Sequence, residues 1–73
     1  MERIIVDPNI LCGKPVIRGS RISVEFVLDR IGEGWSIEQF VEQYPGITAD
    51  DVRACIAYAG HVLRSEHVYP VPA

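Results

Sequence analysis

Seventy-three residues, 48% of them hydrophobic, with a formal net charge of −3, leave room for one small domain. A chain of this size buries only about 60% of its unfolded surface. No apolar run approaches the ~18 residues a membrane span needs, and no charged-then-apolar leader is visible, so a cytoplasmic location is expected.

The apolar content exceeds what a domain this small needs for its own core. A homodimer or a partner protein covering part of the surface is therefore expected. Cys12 and Cys55 lack metal-ligand spacing and read as reduced thiols, and neither a metal nor a cofactor is expected. Charge is unevenly placed: residues 8–24 hold Lys14, Arg18 and Arg21 and no acid, whereas residues 25–66 hold eight acids against three arginines. An acidic body with a small basic segment is not the footprint of a protein that grips nucleic acid by charge alone.

Residues 1–22 read as a β element. Ile4-Ile5-Val6 is a β-branched run ended by the turn signal Asp7-Pro8-Asn9. Pro15-Val16-Ile17-Arg18 is a second extended run, with an irregular segment before it and a Gly19-Ser20 turn after it. Two short strands follow from this, either a hairpin or edges that pair across a dimer.

Residues 23–65 read as three helices. Ser23 caps the first, whose stripe is Val24, Val27, Leu28 and Ile31, with Phe26 off the stripe and Gly32 or Gly34 closing it. Ser36 opens the second with Gln39 three residues on, a capping box, and Trp35 is placed to staple to Phe40. Its stripe is Ile37, Phe40, Val41 and Tyr44. Pro45-Gly46 breaks the chain there. Thr48 and Asp51 form a shorter-armed box at the start of the third helix, with Ile47 and Val52 as its staple. That helix carries Val52, Cys55, Ile56, Ala59 and Leu63 and runs to about Ser65. Two capped helices joined so tightly are a helix-turn-helix signature. Residues 66–73 form an apolar, proline-punctuated tail.

No nucleophile–base spacing, phosphate loop or metal cluster is evident, and no catalysis is expected. His61 and His67 read as surface or cap residues, and Glu38, Glu42, Asp50 and Asp51 as solvated helix faces. Two binding readings remain open. In the first, the start of the third helix enters a DNA groove, with Thr48 on phosphate and Arg53 on guanine. Asp50 and Asp51 oppose that reading, and Lys14, Arg18, Ser20 and Arg21 form the better phosphate surface. In the second, Trp35, Tyr58, His61, Val62 and Tyr69 contact a protein partner, aromatics being favoured as interface anchors. Against it stands the simpler assignment of Trp35 to the staple and Tyr58 to the core.

The segment Cys12-Gly13-Lys14-Pro15-Val16-Ile17-Arg18-Gly19-Ser20-Arg21-Ile22 resembles the G-x-P-x-I-x-G-T-R-I signature of the prokaryotic domain of unknown function 433 family. Gly34-Trp35-Ser36, Tyr44-Pro45 and Thr48-Ala49-Asp50-Asp51-Val52-Arg53-Ala54 are similar to its helical half. Ser20, Ile47 and Asp50 depart from the usual Thr, Leu and Glu. The resemblance covers roughly residues 3–60. It implies a homeodomain-like three-helix fold with an N-terminal β-hairpin, mainly α in class. It also implies an antitoxin that binds and neutralises a PIN-like ribonuclease toxin and represses its own operon through operator DNA. The alternatives are a stand-alone DNA-binding regulator and a protein-interaction adaptor.

Overall fold

The computed structural model describes residues 3–65. Strand β1 (Ile4–Val6) pairs antiparallel with β2 (Pro15–Ile17), Ile5 opposite Val16, so the two runs form a hairpin within one chain. Proline suits the start of β2 because that position needs no ladder N–H. Between the strands, an Asx turn at Asp7–Asn9 leads into a tight left-handed turn in which Leu11, Cys12 and Gly13 all have positive φ. A two-stranded hairpin is marginal by itself. Here Val16 and Ile17 are fully or almost fully buried under the helices, which supplies the missing stability.

Helix α1 (Val24–Gly32) starts where the Ser23 hydroxyl accepts the Phe26 N–H at 3.0 Å. It ends in a Schellman arrangement: the Gly34 N–H donates to the Ile31 carbonyl and the Trp35 N–H to the Arg30 carbonyl. Gly34, with φ +104, takes the left-handed position, and Gly32 is the last helical residue. The two glycines should therefore respond oppositely to alanine, since a Cβ meets no atom within 4 Å at either. Gly34→Ala is expected to cost about 1 kcal/mol in left-handed strain. Gly32→Ala is expected to gain about 0.5 kcal/mol in helix propensity. Thermal melts of both variants check the pair; equal shifts would contradict this cap.

Helix α2 (Ile37–Gln43) carries a complete capping box, the Ser36 N–H donating to Gln39 Oε1 at 2.8 Å and the Gln39 N–H to Ser36 Oγ at 3.1 Å. Trp35 lies 6.2 Å from Phe40, ring to ring, as a staple requires. Helix α3 (Ala49–Ser65) has the reciprocal box too: the Thr48 N–H donates to Asp51 Oδ2 and the Asp51 N–H to Thr48 Oγ1. Asp51's second oxygen accepts from Arg3 Nη1 at 3.0 Å, which ties the start of the hairpin to the last helix. Asp51 is buried, at 9% exposure, and this corrects its reading as part of a solvated face.

The core joins Ile17, Val24, Val27, Phe40, Ile47, Val52 and Cys55, with Leu28, Ile31, Ile37, Val41 and Tyr44 packed around it. The α1 and α2 stripes fall as their spacing requires. Phe26, off the α1 stripe, packs edge-on against Phe40 and Tyr44 and lies under the Arg30 guanidinium at 5.0 Å. The α3 stripe holds at Val52 and Cys55, both fully buried, and fails at two positions. Ile56 and Leu63 are 42% and 56% exposed, while Tyr58 packs on the core. Val52, Cys55, Ala59 and Val62 also recur at three and four, so two apolar stripes compete on this helix. The approach of α1 selects the second.

Candidate functional site

Three surfaces gather most of the residues singled out above. The first is the turn between β2 and α1. Gly19, at φ +82, reverses the chain. Ser20 Oγ closes the turn by donating to the Ile17 carbonyl at 2.9 Å and accepting the Ile22 N–H at 3.0 Å. Its hydroxyl is therefore a structural element of the turn. Arg18 and Arg21 flank it and are exposed. Lys14, at the other end of β2, sits 3.1 Å from Glu25 on α1 and is separated from the two arginines by the length of the strand. The turn faces the α2–α3 joint across a cleft of about 320 Å³ lined by Gly19, Ser20, Ile22 and Gln43–Ile47. The glycine–serine turn and the Tyr44-Pro45 break, far apart in sequence, thus form the two walls of one cleft.

The second surface is the start of α3. Arg53 pairs with Asp50 at 3.1 Å, and Asp50 also lies 3.9 Å from Arg3. Arg53 shares a groove of about 270 Å³ with Glu38 and Glu42 of α2. Acids thus surround Arg53, and the Thr48 hydroxyl is held by the cap. A phosphate approaching this face meets unfavourable charge. Beneath it, burial and then the Asp51 carboxylate push the Cys55 thiol up to about 11, so it stays protonated and unreactive.

The third surface is an apolar groove of about 380 Å³ between α1 and the second half of α3. Val24 and Leu28 line one wall and Tyr58, Val62 and Leu63 the other, with Glu25 and Asp29 along the α1 rim. Tyr58 and Val62 are thus brought together. His61 is exposed on the same helix outside the groove lining. Trp35 is placed elsewhere, packed on Phe40, and Tyr69 lies outside the described residues. Arg3, Glu25 and Asp29 were not named as site residues by the sequence, and Leu28 only as part of the α1 stripe. An acid pair four residues apart beside an apolar stripe is the signal that marks Glu25 and Asp29; Arg3 carries no local signal.

Among the described residues, no helix is long and apolar enough to cross a membrane. The family model described as Protein of unknown function (DUF433) matches residues 4–59. Uncharacterized protein y4eO of Sinorhizobium fredii is 36% identical over 58 residues, 80% of this chain and 26% of its own length. An uncharacterized protein of Archaeoglobus fulgidus is 56% identical over 25 residues, 34% of this chain and 69% of its own. The crystal structure of a DUF433 member from Anabaena variabilis is similar with a TM-score of 0.77 at 29% identity, covering 81% of this chain and 58% of that one. The chain therefore spans less than two thirds of the Sinorhizobium and Anabaena proteins.

Proposed function

This chain belongs to the DUF433 family, whose function is unknown, and on that premise we propose that it acts as the antitoxin of a type II toxin–antitoxin pair, as a cytoplasmic homodimer without catalytic activity of its own. In this proposal it binds a PIN-like ribonuclease and represses its own operon. The observation that carries the proposal is the α1–α3 groove, an apolar surface left open among the described residues. Surfaces of this kind on small soluble domains mark protein contacts. The test is RNA cleavage by a PIN-like ribonuclease, which this proposal requires to be encoded beside the gene. Equimolar chain should stop cleavage, and Val62→Glu, at a half-buried groove position, should relieve the inhibition at least ten-fold. Cleavage that continues in excess chain would refute the antitoxin role.

The DNA-binding part of the proposal rests on the Arg18–Arg21 turn, because the charges around Arg53 oppose phosphate. Arg18→Ala combined with Arg21→Ala should weaken binding to the promoter fragment. It should also flatten the salt dependence by about 0.9 in log–log slope for each phosphate that is no longer neutralised. Unchanged affinity and slope would remove this turn from the interface. If DNA binding persists while ribonuclease inhibition fails, the stand-alone regulator is the better description.

A further inference from the structure

We propose that the α1–α3 groove takes an amphipathic helix of the partner protein that carries Lys or Arg along one flank, and that Glu25 and Asp29 select it. The inference rests on the protein-partner reading above and adds the chemistry of the segment recognised.

Two features of the groove fix the class of occupant. Its walls are side chains of α1 and α3, whose backbone groups bond within each helix, with Pro15 of β2 at one end. Pro15 has no N–H and Val16 beside it is already bridged to Ser23, so an extended segment finds little strand edge to pair with. A helix satisfies its own backbone and brings an apolar stripe, the usual way a groove between helices is filled. Besides Tyr58, only the rim acids bring polar side chains to the lining. The converging polar groups that orient a small molecule are therefore missing among these residues.

Charge decides between partners. Glu25 and Asp29, one turn apart on α1, place two carboxylates on that rim, with Lys14 3.1 Å from Glu25. Glu25 is held only by an exposed pair with Lys14, side chains 69% and 59% accessible, which contributes little and exchanges readily. Asp29 has no ion pair among the described residues. A second copy seated in the groove by two-fold symmetry would bring the same acidic rims together, on chains that each carry −3. A basic flank meets those acids favourably and gains association rate from them.

The test uses the full chain and two synthetic 14-residue helical peptides with leucines at i, i+3, i+4 and i+7. One carries lysines beside the leucines and the other glutamates. Amide NMR shifts are followed at physiological salt. The lysine peptide should move signals from residues 24–29 and 58–63 and bind at least ten-fold more tightly than the glutamate peptide. Glu25→Lys with Asp29→Lys, both at exposed positions, should reverse the preference while the melting curve confirms folding. Equal affinities, shifts centred on another surface, or groove signals that move with chain concentration alone would overturn the inference. Failure of ribonuclease inhibition with the peptide preference intact would remove only the antitoxin reading.

Discussion

Phe40→Ala should lower the melting temperature of this domain by about 20 °C or more. Phe40 is completely buried and is the hub of four rings, 4.8 Å from Tyr44 and 6.2 Å from both Trp35 and Phe26. Truncating a buried Phe costs about 3–5 kcal/mol through forfeited transfer energy and the cavity left behind. The ring pairs add about 0.5–1.5 kcal/mol each beyond burial, although these increments are not additive. Stability of roughly 0.05–0.15 kcal/mol per residue gives a domain of this size about 4–11 kcal/mol in all. One side chain therefore holds a large share of the total, and each kcal/mol removed lowers the midpoint by about 4–8 °C. Far-UV circular dichroism against temperature reads the effect. Phe40→Leu should recover more than half of it. A shift below about 5 °C for the alanine variant would mean that the three helices do not meet at this ring.

Asp51→Ala should cost about 2 kcal/mol, large for a residue on a helix's first turn. Removing an N-terminal capping interaction costs about 1 kcal/mol. The carboxylate here also accepts the Arg3 guanidinium, and hydrogen bonds to charged groups contribute about 1.5–3 kcal/mol. Burial acts to raise the Asp51 pKa, but the Thr48 N–H, the Arg3 and Thr48 side-chain bonds and the Arg3 charge together hold it below its ordinary 3.8. A carboxyl whose pKa is lower in the folded state stabilises the fold above the unfolded value and loses that contribution as pH falls through the folded one. The gap between the native protein and Asp51→Asn should therefore be full at neutral pH, begin to close near 3.8 and vanish below the folded pKa. Denaturant titrations at neutral pH, near the ordinary carboxylate value and about one unit below it measure the gap. A gap that widens on acidification would contradict the assigned partners. Arg3→Ala should reproduce part of the destabilisation and leave the Thr48–Asp51 box in place.

Local signals were the legible part of this chain. Caps at Ser23, Ser36 and Thr48, the staple of Trp35 on Phe40 and the stripes of α1 and α2 are written in residues three to five apart, and the fold honours each. Long-range choices were less legible. On α3 the first half of the stripe was legible in Val52 and Cys55, but only the packing of the other elements shows that Tyr58 turns to the core while Ile56 and Leu63 stay exposed. Asp51 looked like an ordinary first-turn acid because its partner Arg3 lies 48 positions away. The same holds for the candidate sites. The basic residues were visible as a run, yet Lys14 is drawn to Glu25 and Ser20 into its own turn. Tyr58 and Val62 were named without the α1 wall that completes their groove.

The Arg3–Asp51 pair also sets a clock on synthesis. The hairpin is complete at Ile17 but acquires its anchor only when Asp51 is made, 34 residues later. At ~5–20 residues per second this is roughly 2–7 s in which both strands have been made without the helix that Arg3 pairs with. Val16 and Ile17, which the finished domain hides, meet α1 within that interval, since α1 packs on β2 and is made before α3. The link between β1 and α3 is therefore the last of the hairpin's ties to be made, and Arg3 waits for its carboxylate until α3 has begun.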